Sequence, residues 1–166
     1  SVVAVSLKKK PLLASVTIET NGTMLLGTEI AAAAEALRGY PLLSLGLNCA
    51  TGPVEMTEHL HWLGRNWDRF VSTIPNAGLP VLLDGHAHFP LTPEDYSRAL
   101  IRFVEHEGVR LVGGCCGTRP AHIRALAEAL DARGWRDPKG AVLSPPAKTA
   151  WPRGASSLYA VTSFRQ

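Results

Sequence analysis

Two adjacent cysteines, Cys115 and Cys116, stand inside the stretch Gly113-Gly114-Cys115-Cys116-Gly117, and only one other cysteine, Cys49, occurs in the 166 residues. An odd thiol count argues against a disulfide framework and for thiols that bind metal or react. A bond between the neighbours would have to join Cα atoms about 3.8 Å apart across a trans peptide, short of the roughly 4.4–6.8 Å that disulfides favour. Two readings stay open: small buried hydrophobes, or ligands of a metal. Gly113 and Gly114 would let a ligand approach the backbone closely, and Gly117 frees the turn that follows.

The elements that must position these thiols alternate along the chain. Residues 11–18 form a compact apolar run suited to a buried parallel strand. An alanine-rich helix follows, with Thr28 as the expected N-cap and Gly39 as its stop. Residues 41–49 are the next strand, and the helix over 51–66 carries Pro53 in its first turn and Met56, Leu60 and Leu63 on one face. Residues 69–78 are a third strand, and 79–90 read as a long loop. Thr92, Pro93 and Asp95 mark a third helix start. Residues 109–114 are a fourth strand, and 118–134 a fourth helix ended by Gly134.

Four strand-helix units with almost no hairpin signal predict an α/β fold with a parallel sheet. On this map Cys49 ends the second strand, Cys115 and Cys116 end the fourth, and Asn76 lies near the end of the third. That edge of a parallel sheet is where ligands bind. Three thiolates with one exchangeable position are a catalytic zinc arrangement.

Composition narrows the class. The chain is 46% hydrophobic and 19% charged, the profile of a globular protein with a real core. A net charge of +3, with no dense basic run beyond Lys8, Lys9 and Lys10, makes no case for nucleic acid or an acidic membrane surface. No apolar run is long enough to span a bilayer, and residues 1–10 place their charges after their apolar part, the reverse of a signal peptide. A cytoplasmic location is expected. From Asp137 the composition shifts to Pro, Gly, Ser and Ala, which reads as a linker over 137–166, its closing residues resembling the first strand of a following domain.

The segments GLNCATGPVEMTEHL, PNAGLPVLLDG and GGCCGTRPAHIRAL resemble, in order and spacing, the homocysteine S-methyltransferase domain. The resemblance covers roughly residues 11 to 134. It implies a (β/α)8 TIM barrel of which residues 1–136 are the C-terminal half, strands 5 to 8. It implies that Cys49, Cys115 and Cys116 hold Zn2+, and that Asn76 lies beside the metal as a substrate-binding residue. The reaction implied is methyl transfer to the thiol of homocysteine, giving methionine. Zinc would favour the thiolate, since a free thiol of pKa near 8.5 is only a few per cent ionised at neutral pH.

The linker and tail are similar to the approach to the folate-binding domain in cobalamin-dependent members. These imply methylcobalamin as donor, with the cobalamin bound by another domain of the same polypeptide. The aspartate-glycine-rich first strand and the glutamate with which the family grips homocysteine belong to the half of the barrel not found in this sequence. The chain is therefore expected to be a fragment, needing that N-terminal half as partner because its first and last strands would expose their edges.

Two rivals come from other classes. His86 and His88 resemble the metal motif of amidohydrolase-type barrels, but that family places the motif on its first strand and needs further ligands at later strand ends. His106 and His122 fall within predicted helices, which leaves those positions empty. The other rival is a non-catalytic fragment whose zinc only braces strand ends. His59 and His61 are not spaced to share a helix face and read as surface or packing residues.

Overall fold

The computed structural model describes residues 11–135 and, as backbone, 161–163. The main sheet contains β1 (Leu12–Val16), β2 (Leu42–Asn48), β3 (Phe70–Ile74), β6 (Val109–Gly114) and β7 (Val161–Ser163), in that spatial order. Every neighbouring pair is parallel. Between β3 and β6 the chain forms a separate antiparallel pair, β4 (Val81–Leu83) and β5 (His86–His88). The helices are α1 (Ile30–Leu37), α2 (Pro53–Asn66), α3 (Pro93–His106) and α4 (Pro120–Asp131).

Spatial order equals chain order, with no reversal. Because parallel crossovers are right-handed, such a sheet carries its helices on one face, and successive helices do pack on one another. A doubly wound sheet reverses its order at a switch point, whereas a barrel does not. Among the described residues the fold is α/β with a parallel sheet and four helices, consistent with part of a (β/α)8 barrel.

The two faces of the sheet differ as a period of two requires. Ala14, Val16, Leu45, Leu47, Val71 and Val112 join Met56, Leu60, Leu63, Tyr96, Leu100 and Leu126 in one buried core. Thr73, in the register between, points its Oγ1 at the sulfur of Met56, 3.4 Å away. On β2 the alternate residues are small or polar: Ser44, Gly46 and Asn48. Ser15 Oγ donates to Asn48 Oδ1 at 2.6 Å. Gly46 lies so close to Ser72 on β3 that a Cβ there would collide with both the hydroxyl and the carbonyl oxygen of Ser72.

The helix starts follow local chemistry. Thr92 caps α3 by accepting the Asp95 N–H at 3.2 Å, with Pro93 at the first helical position. The expected cap at Thr28 is corrected by one residue: Glu29 takes the N-cap position without a side-chain bond. The Thr28 carbonyl is already used by Met24 N–H, 2.8 Å away, in the preceding turn.

The loop expected over 79–90 is also corrected, to the hairpin β4–β5. Asp84 and Gly85 both have positive φ, 50° and 77°, as a two-residue type I′ turn requires. Most of the predicted linker lies outside the described residues. Within it, Val161–Ser163 pair with β6 at Val112–Gly114, so the outer edge of β6 is covered and not exposed as expected. Among the described residues, β1 is the other terminal strand, with no partner on its outer side.

Candidate metal centre

Each thiol sits one or two residues beyond a strand end. Cys49 follows β2 directly, and its N–H donates to Ile74 O at 3.0 Å, extending the ladder by one rung. The chain then turns through Cys49 and Ala50 in the left-handed region, φ 56° and 55°. Side chains rarely adopt that conformation, and it persists only where surrounding contacts impose it. Asn76 N–H donating to Thr51 O, 3.0 Å, is one such contact.

The loops after β3 and β6 are tied together around the cysteine pair. Cys115 N–H donates to Pro75 O at 3.0 Å and Ala77 N–H to Cys116 O at 2.9 Å. Asn76 is buried, and its Oδ1 accepts the Cys116 N–H at 3.1 Å. Thr118 Oγ1 donates to Cys115 O at 2.5 Å. Below them, the hydroxyl of fully buried Tyr96 lies 3.0 Å from Pro75 O and 2.7 Å from Gly113 O, bridging from α3 the loop after β3 and the end of β6. Gly117 has φ 75°, and a Cβ there would strike the ring of Phe89.

The result is a compact thiol triad. Cys49 Sγ is 3.6 Å from Cys116 Sγ, which is 4.0 Å from Cys115 Sγ, and all three sulfurs lie within 4.8 Å of one another. A tetrahedral zinc with bonds of about 2.3 Å sets its sulfurs about 3.8 Å apart, so these donors fit zinc with small adjustments. All three cysteines are free and half-buried.

The Cys115 thiol is pushed up to about 12, first by burial, then by its hydrogen bond to Cys49 and the negative charge that Cys49 and Cys116 would add. Without a cation this thiol holds its proton at neutral pH, and a bound metal must displace it. Burial, and then the Cys115 charge, also push the Tyr96 hydroxyl far above its ordinary value, so it stays a neutral donor.

The histidines do not join this centre. His86 and His88 lie on the exposed hairpin, and among the described residues the three cysteines form the single cluster of three or more metal-ligating side chains. His122 is buried, accepts Arg119 N–H through Nδ1 at 3.1 Å and faces Leu91 O through Nε2 at 3.0 Å. Both ring nitrogens are thus engaged, with Nε2 carrying the proton. His61 pairs with Glu107 at 2.7 Å on the helical side of the sheet.

Sequence reasoning brings Cys49, Cys115, Cys116 and Asn76 to one place, and the structure does the same. It misses Tyr96 and Thr118. Nothing in their spacing sets them apart from ordinary helix and turn residues: Tyr96 acts on carbonyls of distant segments, and Thr118 on a carbonyl in its own turn.

A parallel sheet wound in one direction, with a thiol triad at its C-terminal edge, is consistent with part of a barrel that carries a candidate metal site. The family model of homocysteine S-methyltransferase matches residues 1–130, and the chain belongs to that family. That family is one of methyltransferases. Among curated proteins it is similar to the methionine synthase of Mycobacterium tuberculosis, 46% identical over 156 residues that cover 94% of this chain and 12% of that protein. It is likewise 46% identical to the methionine synthase of Mycobacterium leprae, over 94% of this chain and 13% of that protein. The chain thus spans about an eighth of the length of these relatives. No helix among the described residues is long and apolar enough to cross a membrane.

Proposed function

We propose that this chain is the zinc-holding part of an enzyme that methylates the thiol of homocysteine to give methionine. Its strands β1, β2, β3 and β6 are read as the fifth to eighth strands of the barrel. The observation that carries the reading is the convergence of half-buried Cys49, Cys115 and Cys116 at the strand ends, at separations suited to zinc. When bound, zinc supplies Lewis acidity that keeps an entering thiol ionised at neutral pH.

The chain's own residues preorganise this. Thr118 fixes the Cys115 carbonyl, Asn76 fixes the Cys116 amide and Tyr96 ties the loop after β3 and the end of β6 to α3, so the donors need little rearrangement on binding. The Asn76 oxygen already accepts from Cys116, which supports a role in holding the cysteine loop beside the substrate thiol.

The methyl group is proposed to come from methylcobalamin carried by another domain, with a folate-binding domain after the 137–166 linker and the whole in a reducing cytoplasm. The groups that grip the amino and carboxylate ends of homocysteine would come from the N-terminal half of the barrel. That half would cover the open edge of β1. Closing the barrel on the other side requires it to replace β7 beside β6.

Cobalt substituted for zinc in the parent polypeptide tests the reading. Its thiolate charge-transfer bands should shift when homocysteine is added and be lost in Cys116→Ser. Bands that ignore homocysteine would leave a metal that only braces the strand ends.

A further inference from the structure

Asn48 is the last residue of β2 and stands immediately before Cys49, their Cα atoms about 3.8 Å apart. By the alternation of the strand it shares the face of Ser44 and Gly46, opposite the helices, which in the barrel reading looks into the interior. Just below Asn48 that face is built small. Ser15 on β1 is in register with Gly46, and Gly46 in turn with Ser72 on β3. Barrel interiors are ordinarily filled by bulky branched side chains. A band of serine, glycine and serine beneath the thiol edge leaves room that the packing of a scaffold does not call for.

The side chain of Asn48 is oriented by its neighbour. With no side chain at Gly46 in the way, Ser15 Oγ reaches up the sheet and donates to Asn48 Oδ1 at 2.6 Å. The amide oxygen thus faces β1, and Nδ2 is turned away from it. Among the described residues no hydrogen bond uses Nδ2, and Asn48 is only half-buried. An amide nitrogen offers two N–H donors and no acceptor. A carboxylate, which only accepts, matches such a group, whereas an ammonium, which only donates, does not.

We propose that Asn48 is a specificity-determining residue whose Nδ2 donates to the carboxylate of the thiol-bearing amino acid held at the metal centre. The inference rests on the methyl-transfer reading above. Only three carbons separate the sulfur of homocysteine from its carboxylate group. A substrate whose sulfur sits at the triad therefore keeps its polar end close to the strand ends, where Asn48, beside Cys49, holds an unused donor. This contact comes from the present half of the barrel and adds to those the N-terminal half would supply. A thiol without a carboxylate forgoes it, so the site discriminates between an amino-acid thiol and other small thiols.

The test uses the full parent polypeptide loaded with cobalt, whose thiolate bands report dissociation constants for three thiols. These are homocysteine, 4-mercaptobutanoate, which lacks the amino group, and 3-aminopropane-1-thiol, which lacks the carboxylate. Asn48→Ala should weaken the two carboxylates about tenfold or more, the scale of one hydrogen bond to a charged group, and leave the aminothiol within about twofold of wild type. Asn48→Asp keeps the shape and can still accept from Ser15, so it should hold its metal and weaken both carboxylates further. It decides the matter if the alanine variant fails to fold. Ser15→Ala, which frees the amide to turn over, should fall between wild type and Asn48→Ala. Unchanged affinities in both Asn48 variants would overturn the proposal. So would an equal loss for all three thiols, or loss of cobalt from Asn48→Asp, which would assign Asn48 to holding Cys49 in place. A loss that follows the amino group would overturn it too, by turning the amide oxygen towards the substrate. Wild-type bands that ignore homocysteine refute the function itself, a result distinct from all of these.

Discussion

Replacing Asn76 by alanine removes the acceptor that holds the Cys116 amide, a single 3.1 Å bond made from a buried side chain across 40 residues of sequence. A hydrogen bond of this kind contributes about 0.5–1.5 kcal/mol net, and a donor left unsatisfied in the interior costs about 1–3 kcal/mol. Cys116 is half-buried, so water can reach part of its surroundings, and the lower range applies. A loss of about 1–2 kcal/mol follows, borne by the loop that presents two of the three thiols. If that loss falls on the metal-bound state, zinc affinity drops about five- to thirty-fold, at 1.4 kcal/mol per factor of ten. Competition with a chromophoric chelator at neutral pH reads the affinity, and urea unfolding of the metal-free protein reads the fold. Zinc affinity and unfolding midpoint both equal to wild type would refute the argument that this side chain organises the centre.

The turn after the cysteines gives a second prediction: Gly117→Ala combines a φ of 75° with a Cβ driven into Phe89, and should cost about 2–4 kcal/mol, read as a lowered urea midpoint. The third concerns pH. Cys115 is raised from 9.0 to about 12, so the folded metal-free protein binds a proton that the unfolded chain releases earlier. The resulting stabilisation is complete below pH 9 and is lost as pH rises from 9 towards 12, so thermal midpoints of the metal-free protein should fall across that window and fall less in Cys115→Ser. The same thiol predicts proton release when zinc binds at neutral pH, measurable as buffer-dependent heat in calorimetry.

Much of the site was legible because its parts follow local rules. Cys49 and Cys115-Cys116 fall at the ends of apolar runs whose strand character is set by composition alone, and Pro53 and Thr92-Pro93 mark helix starts that need no tertiary help. The hairpin was legible in principle: Asp84-Gly85 after Val81–Leu83 is a turn signal, though three-residue strands barely register as periodic. What stayed hidden depends on contacts between distant segments. The Thr28 cap gave way because its carbonyl was claimed by Met24, and Tyr96 looked like any core residue of an amphipathic helix. The pairing of Val161–Ser163 with β6 depends on a partner strand about fifty residues earlier and could not be read from the tail.

The thiols come from two segments that flank β3 without being neighbours: one follows β2, the other β6. An ion gripped by all three is therefore a cross-link over the top of β3, closing a stretch of chain whose ends, Cys49 and Cys116, are 67 residues apart. By the loop-closure relation used for disulfides, a tie of that span restricts the unfolded chain by about 4 kcal/mol. Metal loading would then decide how firmly three central strands stay together. Under the proposed function, starvation for the ion would loosen the scaffold and silence the chemistry in one step.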